Sequence, residues 1–302
     1  MTGICAGRVV VVTGAARGLG RAHALEFARQ GASVVVNDIG VGLDGAGGDA
    51  AAADAVVAEI RDAGGEAVAD GSDVADWAQA ERLVGRAVET FGRLDVLVNN
   101  AGFVRDRMLV NLAEQEWDEV LRVHLKGHAA TVRHAAAHWR DRAKAGERVD
   151  ARIVNTCSGA GLLGSVGQGN YAAAKAGIAA LTVNAAAELG RYGVTANAIA
   201  PAARTRMTEQ VFAADMARPD GDGFDAMAPE NVSPLVVWLG SAESAAVTGR
   251  VFEVQGGEVR LMTGWRHGAG DDAGRRRDPA ELGAVVHDLL RRDPAPEPVY
   301  GA

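Results

Sequence analysis

Proline is missing from the first 200 residues of this 302-residue chain; all eight prolines lie between Pro201 and Pro298. Without a residue that locks φ and removes an N–H donor, the first two thirds of the sequence holds no built-in breaker of long regular elements. Cysteine is almost absent. Cys5 and Cys157 stand half a chain apart, which excludes a disulfide framework and a cysteine metal cluster and fits a reducing compartment. Long apolar runs are lacking too. The best stretches, Val9 to Val12 and Val34 to Val36, fall far short of the ~20 residues of a membrane helix. The first valine run flows straight into a glycine turn, unlike a secretory signal, so a cytoplasmic protein without membrane contact is expected. Lysine is scarce: Lys126, Lys144 and Lys175 stand among 31 basic residues, and a net charge of −8 repels polyanions, so no nucleic-acid partner is expected.

What is present is ordinary globular material, 48% hydrophobic and 23% charged, with enough apolar surface for a sizeable core. Short valine-rich runs alternate with amphipathic stretches. Arg8 to Thr13, Ser33 to Asn37, Glu66 to Ala69, Leu94 to Asn99, Ala151 to Cys157, Thr195 to Ile199 and Val251 to Val254 read as strands. Between them the periodicity predicts helices at Ala50 to Ala63, Asp76 to Phe91, about Glu116 to Ala145 and Asn170 to Arg191, with a short one near Val232 to Leu239. Continuously apolar strands alternating with helices predict an α/β, Rossmann-like, doubly wound parallel sheet covered on both faces. One domain over residues 1–263 accounts for it, followed by an extension over 264–302 built around an amphipathic helix, Pro279 to Arg292. Two long connections, Gly40 to Ala50 and Ala202 to Asn231, interrupt the rhythm and are expected to be functional.

Thr13-Gly14-Ala15-Ala16-Arg17-Gly18-Leu19-Gly20 lies between the first strand and its helix. Glycines there allow a tight turn and close backbone approach to a pyrophosphate, whose charge meets the free N–H groups of the helix N-terminus. Asp38 ends the second strand, where an acid accepts hydrogen bonds from ribose hydroxyls and repels a 2′-phosphate. NAD is therefore expected over NADP, with Arg17 as the counter-signal. Further on, Tyr171 and Lys175 form a Y-x-x-x-K pair on one helix face. Ser158 closes the fifth strand at the carboxyl edge of the sheet, where such folds bind ligands. A phenol beside an ammonium is a proton-transfer group.

Taken together, these residues resemble the short-chain dehydrogenase/reductase superfamily from Arg8 to about Gly257. The Thr-Gly-x-x-x-Gly-x-Gly turn is followed in order by Asp73-Val74, Asn99-Asn100-Ala101-Gly102, Ser158, and Tyr171 with Lys175. The resemblance implies that Ser158 orients the substrate oxygen, Tyr171 exchanges its proton, and Lys175 binds the nicotinamide ribose while lowering the tyrosine pKa. It implies that Gly14, Arg17, Gly18, Leu19, Gly20, Asp38, Asp73, Val74, Asn100, Ala101 and Gly102 hold the rest of the dinucleotide. Pro201 and Thr205 resemble the segment over the nicotinamide, although Ala202 replaces the usual glycine. Four stretches look more narrowly like the (3R)-hydroxyacyl-CoA dehydrogenase domain of peroxisomal multifunctional enzyme type 2 and its bacterial single-domain relatives: Val36 to Gly40, Val123 to Gly127, Gly167 to Tyr171, and Ala200-Pro201 through Arg206-Met207-Thr208. His124 stands where the wider superfamily has the asparagine of its proton relay, and is expected to hold a water or carry the proton.

The implied protein is an NAD-dependent oxidoreductase acting on a secondary alcohol or ketone, either a 3-hydroxyacyl-CoA or a hydroxysteroid. An NADPH-dependent 3-oxoacyl-carrier-protein reductase is the rival, and Asp38 counts against it. Small residues from Ala172 to Ala187 match the helix through which the family forms homodimers and homotetramers. His124, His128, His134 and His138 share one predicted helix, but no acid completes a zinc site; no metal is expected, and solvated or interface positions are. Cys157 is expected to be a buried strand-end residue rather than a nucleophile. The arginine-rich tail is expected to be solvated, to cap a neighbouring subunit, or to touch CoA phosphates.

Overall fold

The computed structural model describes residues 3–40, 51–205, 216–219, 223–292 and 297–300. The strands are β1 (Val9–Thr13), β2 (Ser33–Asn37), β3 (Glu66–Asp70), β4 (Val96–Asn99), β5 (Ala151–Thr156), β6 (Val194–Ala202), β7 (Val251–Gln255) and β8 (Glu258–Met262). They form one sheet in the order β3-β2-β1-β4-β5-β6-β7-β8, all parallel except the last pair. The helices are α1 (Gly18–Arg29), α2 (Ala51–Asp62), α3 (Trp77–Phe91), α4 (Glu114–Leu121), α5 (Gly127–Lys144), α6 (Gly159–Leu163), α7 (Gly169–Leu189), α8 (Ser233–Gly240) and α9 (Leu282–Arg292).

Side chains alternate across a strand, so a continuous valine run feeds two cores at once. Val10, Val12, Val34, Val36 and Val98 pack with Phe27 of α1, Ile60 of α2 and Leu239 of α8. Val9, Val11, Val35 and Leu97 pack on the other face with Leu83 of α3, Trp139 of α5 and Ala185 of α7. At about 1.5–3 kcal/mol for each large apolar side chain removed from water, this double burial explains why these strands need no polar alternation. The chain runs outward through β2 and β3, then crosses back to β4 beside β1. That reversal opens a crevice at the carboxyl ends of β1 and β4, the topological position at which doubly wound sheets take ligands.

Three expectations are corrected. The single helix from Glu116 to Ala145 is interrupted: a π-helical turn, Arg122–Lys126, separates α4 from α5, and such turns cluster at functional sites. The sheet is not wholly parallel, because Gly256 and Gly257 make a two-residue hairpin and β8 returns antiparallel to β7. The tail helix begins as a 3₁₀ turn, Pro279–Glu281, and α9 has no buried residue. Of the two long connections, residues 41–50 lie outside the described part, as do 206–215 and 220–222 of the second. Among the described residues no helix is long and apolar enough to cross a membrane.

Candidate active site

The crevice between β1 and β4 holds a cleft of about 950 Å³. Gly14, Arg17, Gly18, Leu19, Asp38, Asp73, Val74, Asn100, Ala101, Gly102 and Thr205 line it, as the sequence expects. The turn is built for close approach. Gly14 and Gly18 have φ of +63° and +54°, a region open to glycine at no steric cost. A Cβ on Gly14 would stand 2.8 Å from Ala101 Cα, and one on Gly20 would run into the carbonyl oxygen of Gly14 and come within 2.6 Å of Asn100 Nδ2. Gly20 is thus buried beneath the turn and shapes it from below. Asn100 fastens β4 to it by donating from Nδ2 to Thr13 O and Gly14 O at 3.0 and 3.2 Å.

The carboxylate of Asp38 accepts from Ala16 N at 3.0 Å and Gly40 N at 2.8 Å, which holds it against the glycine turn. Asp73 accepts from Ala75 N and from Arg122 Nη1, both within 2.9 Å. Arg122 was not expected, because nothing in its local sequence signals an ion pair 49 residues away. Thr205 lies over Gly18, its Cγ2 3.6 Å from where a Cβ would stand. Pro201 is not on the cleft wall; it sits in β6 paired with Val254. Ala202 is still in that strand, opposite Gln255, so its extended backbone does not require the glycine that the family usually has there. A turn in which Cβ atoms on Gly14 and Gly20 would clash and Gly18 takes a positive φ, an acid at the second strand's end and the N–H groups of a helix N-terminus make a cradle that fits a dinucleotide.

Past Gly102 the cleft gives way to a buried polar cluster. The His124 ring lies on Gly102 so closely that a Cβ there would overlap it. The same ring meets Tyr171 edge-on, centroids 5.3 Å apart. Lys175 Nζ stands 5.4 Å from the Tyr171 ring centroid and donates to Thr156 O at 2.7 Å. Ser158 caps α6, its Oγ accepting from Ala160 N at 3.2 Å, and its side chain neighbours the Tyr171 hydroxyl, whose pKa it lowers. The structure therefore brings Ser158, Tyr171, Lys175 and His124 together. Asn170 anchors the start of α7 by donating to Arg105 O and Glu116 O at 3.1 Å each. Behind the cluster, Asn99 donates to Asn155, Thr131 donates to Asn99, and Asn155 donates to Thr182. This buried network was missed by sequence reading, although an asparagine inside two apolar strands was a visible signal.

Burial decides the protonation states. The Tyr171 phenol is pushed up to about 12 by desolvation, although the neighbouring Ser158 side chain pulls the other way. The Lys175 ammonium is pushed down to about 8. Desolvation dominates the Tyr171 shift, and the expected lowering by Lys175 is not among its causes. His124 is driven well below the ordinary histidine range by burial and by the Lys175 charge. Its Nε2 lies 2.6 Å from Phe103 O and 3.1 Å from Phe103 N; Nδ1 has no partner among the described residues. Three of the four helix histidines, His124, His128 and His134, are buried rather than solvated, because the π turn and α5 press them against the sheet, and His138 is half-buried. No group of three metal-ligating side chains occurs among the described residues. Burial pushes the Cys157 thiol up to about 11, an unreactive protonated form near neutrality.

A sequence model of the short chain dehydrogenase family matches residues 8–215. The chain is 50% identical over 296 residues to hydroxyacyl-CoA dehydrogenase ChsB1 of Mycobacterium tuberculosis, covering 95% of this chain and 90% of that one. It is 43% identical over 279 residues to peroxisomal multifunctional enzyme type 2 of Mus musculus, covering 92% of this chain and 36% of that much longer protein. A crystal structure of a short chain dehydrogenase from Mycobacterium avium superposes with a TM-score of 0.89 at 65% identity, covering 99% of this chain and all of the other.

Proposed function

The chain belongs to the short-chain dehydrogenase family of oxidoreductases, and from that premise we propose that it oxidises the secondary alcohol of a 3-hydroxyacyl-CoA to the ketone with NAD. The observation that carries the reading is the convergence of Ser158, Tyr171 and Lys175 beside a dinucleotide-shaped cleft. The kinship with a hydroxyacyl-CoA dehydrogenase supports the thioester. A hydroxysteroid is the other apolar alcohol of the same chemistry. Bound NAD supplies the two-electron acceptor. Gly14, Gly18 and the α1 N-terminus would hold its pyrophosphate, and Asp38 would accept hydrogen bonds from its adenosine ribose hydroxyls. Ser158 donates a hydrogen bond to the substrate oxygen and fixes it. Ionised Tyr171 takes the hydroxyl proton as the carbonyl forms, and the neutral phenol returns it in the reverse direction. Lys175 stabilises the phenolate by its charge and binds the nicotinamide ribose. We include a cytoplasmic homodimer or homotetramer, supported by the small residues of α7 and the exposed Val183.

Asp38 disfavours the rival NADPH-dependent 3-oxoacyl-carrier-protein reductase, since a carboxylate at the ribose repels a 2′-phosphate. The test is a panel of 3-hydroxyacyl-CoAs, hydroxysteroids and simple alcohols with NAD and with NADP. The expected result is at least tenfold higher kcat/KM with NAD on a 3-hydroxyacyl-CoA, a difference of about 1.4 kcal/mol. Tyr171→Phe is expected to lose turnover while binding NAD as the parent does. Preference for NADP, or turnover by Tyr171→Phe, overturns the assignment.

A further inference from the structure

The last described residues return to the site. Tyr300 accepts from Val166 N at 2.9 Å and donates its own N–H to Gly164 O at 3.2 Å, forming a bridge beside Ser165. Its ring covers Gly159, where a Cβ would stand 2.7 Å from the phenolic oxygen, and Val299 covers Gly164 at 3.3 Å in the same sense. The Tyr300 hydroxyl donates to Glu253 Oε1 on β7 at 3.2 Å. Gly159 follows Ser158 directly, and residues 164–168 run into the first turn of α7, which carries Tyr171. The C-terminal segment around Tyr300 is therefore fastened to the segment that joins the two reacting residues.

That segment is flanked a second time. Arg107 N donates to Gly167 O at 2.7 Å, and Gln168 Nε2 donates to Asp106. Met108 and Leu109 lie against Gly167 and Gly169, 4.0 and 3.5 Å from where their Cβ atoms would be. Met108, Leu109, Val110 and Val166 are exposed apolar side chains, and Val299 and Tyr300 are 42% exposed. Large apolar side chains grouped around a reactive edge mark a place that apolar ligand surface covers.

We propose that Tyr300 is a specificity-determining residue: with Val299 it forms the outer wall of the substrate mouth on the Ser158 side, against which the apolar acyl portion of the substrate lies. The inference rests on the dehydrogenase reading above and deepens it. A tail that only braced the fold would change stability and scale every rate alike. A wall changes which acyl chain is accepted.

The experiment compares the full-length protein with Tyr300→Ala, Tyr300→Phe and a chain truncated after Pro298, on short-, medium- and long-chain 3-hydroxyacyl-CoAs. In Tyr300→Ala and in the truncated chain, the ratio of kcat/KM between long and short substrates is expected to shift by roughly tenfold or more, through KM rather than kcat. Tyr300→Phe keeps the ring and is expected to keep the parent profile. Calorimetric titration of 3-oxoacyl-CoAs in the absence of NAD reads the same preference without turnover, and should lose its chain-length dependence in Tyr300→Ala. If the truncated chain does not fold, the point variants carry the test. Parent turnover with an unaltered profile in Tyr300→Ala overturns the wall and leaves the dehydrogenase reading standing. Absence of turnover by the parent on every thioester overturns both.

Discussion

His124 is held by three neighbours at once: the Gly102 backbone under its ring, Tyr171 at its edge, and the Phe103 carbonyl on Nε2. A ring so enclosed, with its basicity driven far below the ordinary range by burial, stays neutral across physiological pH. From the sequence it is expected to hold a water or to carry the proton, and only the second of these leans on its ordinary pKa, because burial cannot be read from a residue name. We propose that it acts, through these contacts, as a positioning residue that sets the distance between the Gly102 turn and Tyr171. Replacing it with alanine is expected to lower kcat by roughly tenfold, the scale of one lost buried hydrogen bond to a neutral group. The pH profile between 6 and 8 should keep its shape, and His124→Asn should recover part of the rate. A limb near pH 6.5 in the parent that vanishes in His124→Ala would restore the proton-carrier role. Ser158, Tyr171 and Lys175 were legible by contrast, since their meaning lies in residue type and spacing along one strand end and one helix.

The strand–turn–helix unit from Val9 to Arg29 was equally legible. An unbroken valine run, three glycines and an amphipathic helix act within about twenty residues, so local physics dominates. The break between α4 and α5 was not legible. No proline marks it, and its cause is tertiary: His124 must reach Gly102. β8 was missed although its signal was present, a Gly256-Gly257 pair between two short β-rich runs, the pattern of a two-residue hairpin. The return of Tyr300 to Ser165 has no local trace at all, because the partners are far apart in sequence. The glycine turn also gives a sharp expectation. A Cβ on Gly20 would meet the Gly14 carbonyl and Asn100, both parts of the cradle and neither a flexible chain end. Gly20→Ala is expected to weaken NAD binding about 100-fold, or about 2.7 kcal/mol, in a titration of cofactor fluorescence. An affinity within twofold of the parent would mean that Gly20 does not shape the cradle.

For the molecule as a whole, the sheet's two cores hide ionisable rings as well as valines. His23 of α1 is fully buried against Ser233 Oγ at 2.9 Å, and desolvation lowers its pKa to about 3. His128 of α5 is lowered to about 3 on the opposite face, by burial first and the Lys175 charge second. In the unfolded chain both rings bind a proton below about 6.5. In the folded chain they do not until about pH 3. The unfolded state therefore holds more protons across this window, so stability rises with pH there; it is whole above about 6.5 and is lost as pH falls toward 3. At pH 5 each histidine subtracts about 2 kcal/mol, and the pair together about 4, a large fraction of the roughly 5–15 kcal/mol that holds a domain folded. The urea midpoint at fixed protein concentration is accordingly expected to fall between pH 7.5 and pH 5 with little change in slope. His23→Gln removes one titrating ring and should flatten that dependence even though it lowers stability at pH 7.5. Equal midpoints for the parent at the two pH values would mean that these rings are not held neutral by the fold.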